Sequence, residues 1–243
     1  MPSDVIIITA ISQISTFKIT EGNTEMATNH YRKTIMNYLE TLPEENPVTP
    51  TMVTEYITDK TGEPEVKVRK TVNVNLARLE KDGVLSRIAH GVYAKRIRTP
   101  FGDYVPGKDR IFGRWLVLDG DLVIGYETGL SLMNQIGLVS QMPKKRCIAT
   151  NNYRLTIPKD VDIEVQKPRI PITKDNYKYL QILDAINGLN RAPVDAAEPE
   201  AIIREKAQSA SLQPDRLILY ARMLYPTETL KKTIDIMLGG MAL

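Results

Sequence analysis

The sequence predicts an α+β protein of two domains, and three observations carry this prediction. The chain has 243 residues, which suits two domains of ~100–200 residues each. Apolar residues recur at helical spacing up to residue 81, and short β-prone runs follow them. Prolines and glycines then cluster in the stretch 100–107, where we predict the boundary between a first domain (26–99) and a second (100–243).

Residues 1–25 show neither a helical nor an alternating pattern of apolar residues. We interpret them either as an N-terminal arm or as residues included because the translation start was placed upstream of the natural one. A well-patterned segment opens at Met26. Glu21-Gly22 can be encoded by a purine-rich, ribosome-binding stretch at the right distance before it. N-terminal sequencing of the native protein would decide between Met1 and Met26.

The composition excludes several classes of protein. With 42% hydrophobic and 25% charged residues, the chain is neither disordered nor fibrous. Its apolar run near the N-terminus is far shorter than the ~18 residues of a membrane span and lacks the flanks of a signal peptide. One cysteine, Cys147, excludes an internal disulfide and a cysteine zinc site, and two histidines are too few for a His-rich metal centre. We therefore expect a cytoplasmic protein with no cofactor and no membrane partner.

Positive charge is concentrated in one part of the chain. Residues 64–98 hold nine basic and three acidic residues, a net charge of +6, whereas the whole chain carries +3. A local basic block in a nearly neutral chain is typical of a surface that binds a polyanion.

Three helices are predicted before this block ends. The first spans 29–42. The second begins with Thr49 as N-cap and Pro50 as first residue, and ends near Thr61-Gly62. The third spans about Glu65–Lys81. Its apolar stripe consists of Val68, Val72, Leu76 and Leu79. Its opposite face is predicted to carry Lys67, Lys70, Thr71, Val74, Asn75, Arg78 and Lys81, flanked by Arg69 and Asn73.

A basic hairpin follows the third helix. Val84–Ala89 and Val92–Arg96 are β-prone runs joined at His90-Gly91, where glycine suits a turn that needs positive φ. Three helices, the third of them basic on its outer face, followed by a basic hairpin are typical of a winged helix-turn-helix. Such a helix can enter the roughly 12 Å-wide major groove of DNA, and the wing can follow the backbone or the minor groove.

The predicted DNA-binding residues divide by chemistry. Lysine and arginine neutralise phosphates, asparagine can pair with adenine and arginine with guanine, and the Thr71 methyl and Val74 can meet a thymine methyl. The predicted set is Lys67, Arg69, Lys70, Thr71, Asn73, Asn75, Arg78, Lys81, Arg87, His90, Lys95, Arg96 and Arg98.

The second half is predicted to be a small α+β domain with a helical tail from about residue 175. Residues 115–126 form either two strands around an Asp-Gly turn or the end of a helix followed by a strand. A helix is predicted over 127–137 and strands over 147–150, 154–157 and 161–165. Further helices are predicted over 175–189, 198–210, 214–224 and 227–238.

Catalytic motifs are weak in this half. The sequence holds no glycine-rich phosphate loop and no Gly-x-Ser-x-Gly elbow. Asp119 and Asp121 are interpreted as a turn, and Cys147 as a buried small residue, although nearby cations would lower its pKa if it were exposed. Asp160, Asp162 and Glu164, with Lys167, loosely resemble the carboxylate–lysine cluster of a nuclease. The spacing between the carboxylates and Lys167 differs from the usual Glu-x-Lys pattern. We therefore expect a protein that is not an enzyme and holds no catalytic or metal site.

Two sequence motifs resemble those of a known family. Val72-x-x-x-Leu76-x-x-Leu79 with Asp82-Gly83-Val84-Leu85-x-Arg87-Ile88-x-x-Gly91-Val92-Tyr93 resembles the N-terminal winged helix of AbiE-type antitoxins of bacterial type IV toxin–antitoxin and abortive-infection systems. Gly125-Tyr126-Glu127-Thr128-Gly129-Leu130-Ser131-Leu132, then Ile136-Gly137-Leu138 and Gln141-x-Pro143, is similar to the start of their second domain. The similarity spans about residues 48–165, and the helical tail matches less clearly.

The resemblance implies a DNA-binding repressor that acts as an antitoxin. Such proteins repress their own operon through the winged helix and counter a nucleotidyltransferase-like toxin, generally without a stable complex. Here Lys67–Lys81 and the wing at Arg87–Arg98 would bind the operator. The alternatives are a stand-alone regulator without a toxin, a winged-helix module that binds proteins, and, least favoured, a metal-dependent nuclease. A dimer and two monomers on one operator would leave the same sequence pattern.

Overall fold

The computed structural model describes residues 31–239, and these residues form an α+β structure, as predicted. The chain divides after Gly107 into two compact units, and each is described by itself. The arm predicted over residues 1–25 and the alternative start at Met26 lie outside the described residues.

From residue 31 onward, the first unit contains three helices and two β-hairpins. In chain order they are α1 (31–41), α2 (Pro50–Thr61), α3 (Glu65–Lys81), β1 (Leu85–Ala89), β2 (Val92–Lys95), β3 (Ile97–Thr99) and β4 (Gly102–Tyr104). The three helices and the first hairpin agree with the sequence prediction, and α3 has the predicted bounds. β1 and β2 are antiparallel. Val48, just before α2, exchanges two backbone hydrogen bonds with Tyr93 of β2, which ties the start of α2 to the hairpin.

The ends of α2 confirm the helix signals in the sequence. The Met52 amide donates to the Thr49 hydroxyl at 3.2 Å, and Pro50 occupies the first turn, where its missing N–H costs nothing. Gly62 ends the helix with φ of 68°, a left-handed conformation that side chains disfavour. Local chemistry therefore sets both ends of this helix.

The core of the first unit lies between the three helices and the first hairpin. The apolar stripe of α3 is fully buried, as predicted. The remaining members of this core come from α1, α2 and the strands: Tyr31, Ile35, Leu39, Val48, Val53, Ile57, Leu85 and Tyr93.

The second hairpin corrects the sequence prediction of a loop at residues 100–107. Ile97 pairs with Tyr104 and Thr99 with Gly102, so that Pro100-Phe101 forms a two-residue turn. Gly102 has φ of 115°, which permits the return of the chain. Pro100 and Gly102 therefore belong to an ordered hairpin, whereas Pro106 and Gly107 lie in the irregular backbone after β4, where the chain divides into its two units.

The second unit combines a small sheet with six helices within its described residues. The elements are α4 (Lys108–Val117), β5 (Leu118–Asp119), β6 (Leu122–Val123), β7 (Gly125–Thr128), α5 (Gly129–Gln135), β8 (Arg146–Thr150), β9 (Ile163–Gln166), α6 (Tyr177–Gly188), α7 (Pro199–Ser209), α8 (Pro214–Leu224) and α9 (Thr227–Leu238). β7 and β8 are antiparallel, and β8 and β9 are parallel. Of the two interpretations of residues 115–126, the structure contains parts of both. The helix α4 ends at Val117, and Leu118–Asp119 then pairs with Leu122–Val123 around the Asp-Gly turn.

One prediction in this unit is right only in part, and one is wrong. The helix predicted over 127–137 begins only at Gly129, because Glu127 and Thr128 belong to β7 and pair with β8. The strand predicted over 154–157 consists of turn and irregular backbone.

The last four helices follow the predicted positions closely, but they are not a tail. They pack with α5 around a single hydrophobic cluster, to which α6 contributes Tyr179, Ile182, Leu183 and Ile186. The C-terminal helices are therefore part of the core of this unit.

A half-buried carboxylate joins the sheet to these helices. The hydroxyls of Tyr126, Thr128 and Tyr225 donate to Asp184 at 3.0, 2.8 and 2.7 Å. The Arg169 guanidinium lies 3.9 Å from the same carboxylate. Burial and the nearby negative charge raise the pKa of both tyrosines above the ordinary value, so both remain hydrogen-bond donors. Asp184 on α6 thus holds β7 and the segment before α9 together.

Removal of the Tyr225 hydroxyl tests this junction. We expect Tyr225→Phe to lower the free energy of unfolding by about 1–3 kcal/mol, because a hydrogen bond to a charged group is lost. Denaturant unfolding followed by circular dichroism measures the change. Tyr220→Phe is the matched control: its hydroxyl accepts only from the exposed Arg216, and a loss there should be close to zero. Equal losses in the two variants would contradict the assigned role of Asp184.

Candidate nucleic-acid interface

The outer face of α3 carries a stripe of exposed cations. Lys67, Lys70, Arg78 and Lys81 are exposed, and the exposed Val74 lies between them. At a rise of ~1.5 Å per residue, the stripe is about 21 Å long. This face is opposite the buried apolar stripe, as the helical period requires.

Ion pairs divide these cations into two groups. Lys67 contacts Glu63 at 2.8 Å and Arg69 contacts Glu65 at 3.5 Å, each one helical turn earlier. Such exposed pairs are weak and dissociate readily when a stronger anion approaches. Lys70, Arg78 and Lys81 form no ion pair with any residue in the range 31–239. The positive charge of the helix is therefore least compensated along these three positions.

Polar and small apolar side chains lie beside the cations. Asn73 is exposed and can present its amide to a base edge, whereas Thr71 is half-buried at the border of the core. Val66 and Val74 are 78% and 48% exposed, which is costly for valine on a free surface. The outer face of α3 thus combines charge with the side-chain types that read bases.

Asn75 requires a correction. It is fully buried, and its amide donates to the Thr71 carbonyl at 2.9 Å. At ~100° per residue Asn75 lies about 20° from Val68 around the helix axis, so the helical period puts it on the core side. Its Oδ1 has no hydrogen-bond partner among the described residues. Asn75 therefore does not belong to the exposed surface.

This correction leads to a stability test. A buried acceptor without a partner costs free energy, and leucine has the same branched shape, although its methyl groups are larger than the amide atoms. We expect Asn75→Leu to raise the free energy of unfolding by about 1 kcal/mol. The same variant should bind DNA as the parent does, which fluorescence anisotropy measures. A loss of DNA affinity in a stable variant would show that Asn75 contacts DNA after all.

The turn of the first hairpin is fixed by Arg87 and His90. Arg87 Nη2 donates to His90 Nδ1 at 3.2 Å, and Arg87 Nε donates to the Ala89 carbonyl at 3.4 Å. Both side chains remain exposed. They form a polar, positively charged tip that can approach a phosphate.

Lys95 requires the second correction. Its ammonium is half-buried and donates to the carbonyls of Leu39, at 3.0 Å, and Leu42, at the C-terminal end of α1. Burial lowers the pKa of Lys95, while Glu44 opposes this shift. A cation at the end of a helix satisfies free carbonyls and complements the helix dipole. Lys95 thus caps α1 and is not available as a free surface cation.

The second hairpin carries two predicted cations, Arg96 and Arg98, and two aromatic residues that the sequence analysis overlooked, Phe101 and Tyr104. Arg96 and Arg98 are exposed, and Arg96 lies 3.8 Å from Asp103 across the hairpin. Phe101 at the turn and Tyr104 are also exposed. The available signal was the β-prone run 97–99 followed by Pro100 and Gly102, which favour a turn, whereas Gly102 and Asp103 are types that are depleted in strands.

The carboxylates that the sequence analysis compared with a nuclease centre do not form a metal site in the described residues. Asp160 forms an ion pair with Lys108, and the backbone N–H of Asp162 donates to Asp109 at 2.9 Å. Asp119 and Asp121 are exposed around the turn at Gly120. Between residues 31 and 239, no three carboxylate, histidine or cysteine side chains are grouped so that they could hold a metal ion.

Cys147 is buried, as predicted, beneath a pocket of about 500 Å³. Lys144, Lys145 and Glu164 also line this pocket. Burial, reinforced by Glu164, Asp184 and Glu127, raises the pKa of the Cys147 thiol to about 12. The two nearby lysines therefore do not activate the thiol.

The thiol provides a simple chemical test. Because only the thiolate reacts, we expect Cys147 to resist iodoacetamide in the native protein at pH 8, where roughly one thiol in 10⁴ is ionised. Unfolding in guanidinium chloride should expose the thiol and restore ordinary reactivity. Mass spectrometry of the alkylated chain measures both states. Rapid modification of the native protein would contradict the burial and the raised pKa.

Comparison with known proteins gives no match. No protein-family model matches the chain, and no curated protein matches it at the level of sequence. Among the described helices, none is long and apolar enough to span a membrane. Function is therefore inferred from the exposed face of α3 and from the resemblance of the sequence motifs to AbiE-type antitoxins.

Proposed function

We propose that the chain is a DNA-binding transcriptional repressor whose first unit is a winged helix-turn-helix. In this proposal α3 is the recognition helix and the β1–β2 hairpin is the wing. The observation that carries the proposal is the exposed stripe of Lys70, Arg78 and Lys81, none of which has an acidic partner in the range 31–239.

The dimensions and charge of α3 suit the major groove. A helix with its side chains is ~10–12 Å across, and the groove is ~12 Å wide. Lys70 and Lys81 are about 16 Å apart along the helix, which is enough to reach phosphates on both sides of the groove. In this arrangement the cations supply affinity, and the sequence preference comes from the side chains between them.

Three residues of α3 are the proposed base-reading group. Asn73 carries an exposed amide that can form two hydrogen bonds with adenine, and Val74 and the Thr71 methyl can contact a thymine methyl. Arg87 and His90 at the hairpin turn are proposed phosphate contacts. Asn75 and Lys95 are not part of this proposal.

The biological role that we propose is that of an antitoxin of the AbiE type. The support is the resemblance in the α3–hairpin phrase and in the phrase that begins at Gly125. On this proposal the protein represses its own operon and counters a nucleotidyltransferase-like toxin without forming a stable complex with it. A nucleotidyltransferase-like gene beside its own would favour this role over that of a stand-alone regulator.

Charge reversal on α3 tests DNA binding. Full-length protein is titrated into the duplex from upstream of its own gene and into a scrambled duplex, with fluorescence anisotropy as the readout. We expect roughly 10³-fold tighter binding to the first duplex, and we expect Lys70→Glu with Arg78→Glu to abolish it. Arg222→Glu with Lys231→Glu, which makes the same total change in charge at exposed positions of α8 and α9, should have little effect.

The salt dependence sharpens the test. Each lost phosphate contact should reduce the slope of log affinity against log salt concentration by about 1, so each single reversal should flatten it measurably. Specific binding that survives both reversals would contradict the assignment of α3. Equal, salt-sensitive binding to both duplexes would instead favour a winged-helix module whose partner is a protein.

A further inference from the structure

The β3–β4 hairpin presents an aromatic ring that the first unit does not bury. Phe101 at the tip is 100% exposed, although phenylalanine is among the most commonly buried residues. Pro100 precedes it in the same turn. A fully exposed ring at a turn gains free energy when it is removed from water, so this tip is suited to contact another molecule.

The turn holds this ring in a defined position. The Phe101 N–H donates to the Thr99 hydroxyl at 3.2 Å, and that hydroxyl donates to the Gly102 carbonyl at 2.7 Å. Pro100 fixes its own φ near −65°. The exposed position of Phe101 is therefore built into the hairpin, which lowers the entropy lost on binding.

The base of the hairpin is connected to the end of α3. The Arg96 N–H donates to the Val84 carbonyl at 3.0 Å, and the Val84 N–H donates to the Leu79 carbonyl at 2.9 Å. Each strand has three residues and spans about 10 Å at ~3.3 Å per residue. The hairpin that carries the ring thus begins beside the C-terminal end of the helix that we propose to lie in the major groove.

The charge on the hairpin indicates which kind of molecule the tip contacts. Arg96 and Arg98 alternate with Ile97 and so share one face, on which Asp103 is the cross-strand partner of Arg98. Asp103 contacts Arg96 at 3.8 Å, while Arg98 forms no ion pair with any residue between 31 and 239. Net positive charge beside an apolar tip complements nucleic acid better than a neutral protein surface.

We propose that Phe101 is a wedge that enters a base step from the minor groove, next to the DNA that α3 contacts. The proposal rests on the DNA-binding function proposed above. A phenylalanine that partly unstacks one step gains base–aromatic contact, and Arg98 follows the adjacent phosphates. Flexible pyrimidine–purine steps are the easiest to open, so the wedge gives a sequence preference without a hydrogen bond.

The test compares two substitutions at the tip. The probe is the upstream duplex carrying 2-aminopurine, whose fluorescence rises on unstacking, at successive adenine positions. We expect the full-length protein to raise the fluorescence at one position. Phe101→Ala should remove the rise and weaken binding by about 5- to 100-fold, whereas Phe101→Leu should retain part of both. Leu122→Ala, an exposed apolar change at the first residue of β6, is the matched control.

A salt titration distinguishes the contribution of the Phe101 ring to DNA affinity from that of the cations. Because the ring carries no charge, Phe101→Ala should leave the salt slope unchanged, whereas Arg98→Ala should reduce it by about 1. The inference fails if no position brightens with the parent protein, or if Phe101→Ala equals the parent in fluorescence and affinity. Absence of any specific DNA binding by the parent chain is a separate result: it overturns the proposed function, and the wedge with it.

Discussion

The burial of one side of α3 is the constraint on which the first unit depends. Val68, Val72, Leu76 and Leu79 are fully buried among α1, α2 and β1. Loss of any one of these side chains would cost about 2–5 kcal/mol, a large part of the stability of a small domain. The rotation of the helix is thereby fixed, and this rotation decides which residues face outward. The exposed cations are a consequence of the apolar stripe opposite to them.

The residues one helical turn away decide which of these cations are free. Lys67 and Arg69 have glutamates four positions earlier, and both pairs form. Lys70, Arg78 and Lys81 have Val66, Val74 and Ala77 at the same distance. Arg78 has Asp82 one turn later, but this carboxylate pairs with Arg32 of α1 at 2.8 Å. The positive stripe is therefore not neutralised, because the local sequence offers Lys70, Arg78 and Lys81 no acidic residue one turn earlier and Arg32 binds the carboxylate of Asp82.

Much of this structure could be predicted because its signals are local. The caps of α2, the period of α3 and the four C-terminal helices depend on residues a few positions apart. Two features could not be predicted in this way, and a third was misjudged although the helical period contains it. Lys95 caps a helix more than fifty residues earlier, which no local pattern encodes. The β3–β4 hairpin is short, and its proline and glycine resemble those of a linker. Asn75 sits at the edge of the apolar stripe, where a polar side chain suggests exposure although the helix angle requires burial.

The backbone around Val84 explains how helix and hairpins can act as one surface. Its N–H is bound to the last turns of α3 and its carbonyl to Arg96, between the two hairpins. Both bonds involve main-chain atoms, so side-chain substitutions do not break them. Neither Lys70 nor Phe101 forms these bonds, so a substitution at either position leaves them available. If the proposed function holds, a loss of DNA binding in such a variant is therefore expected to come from the substituted side chain.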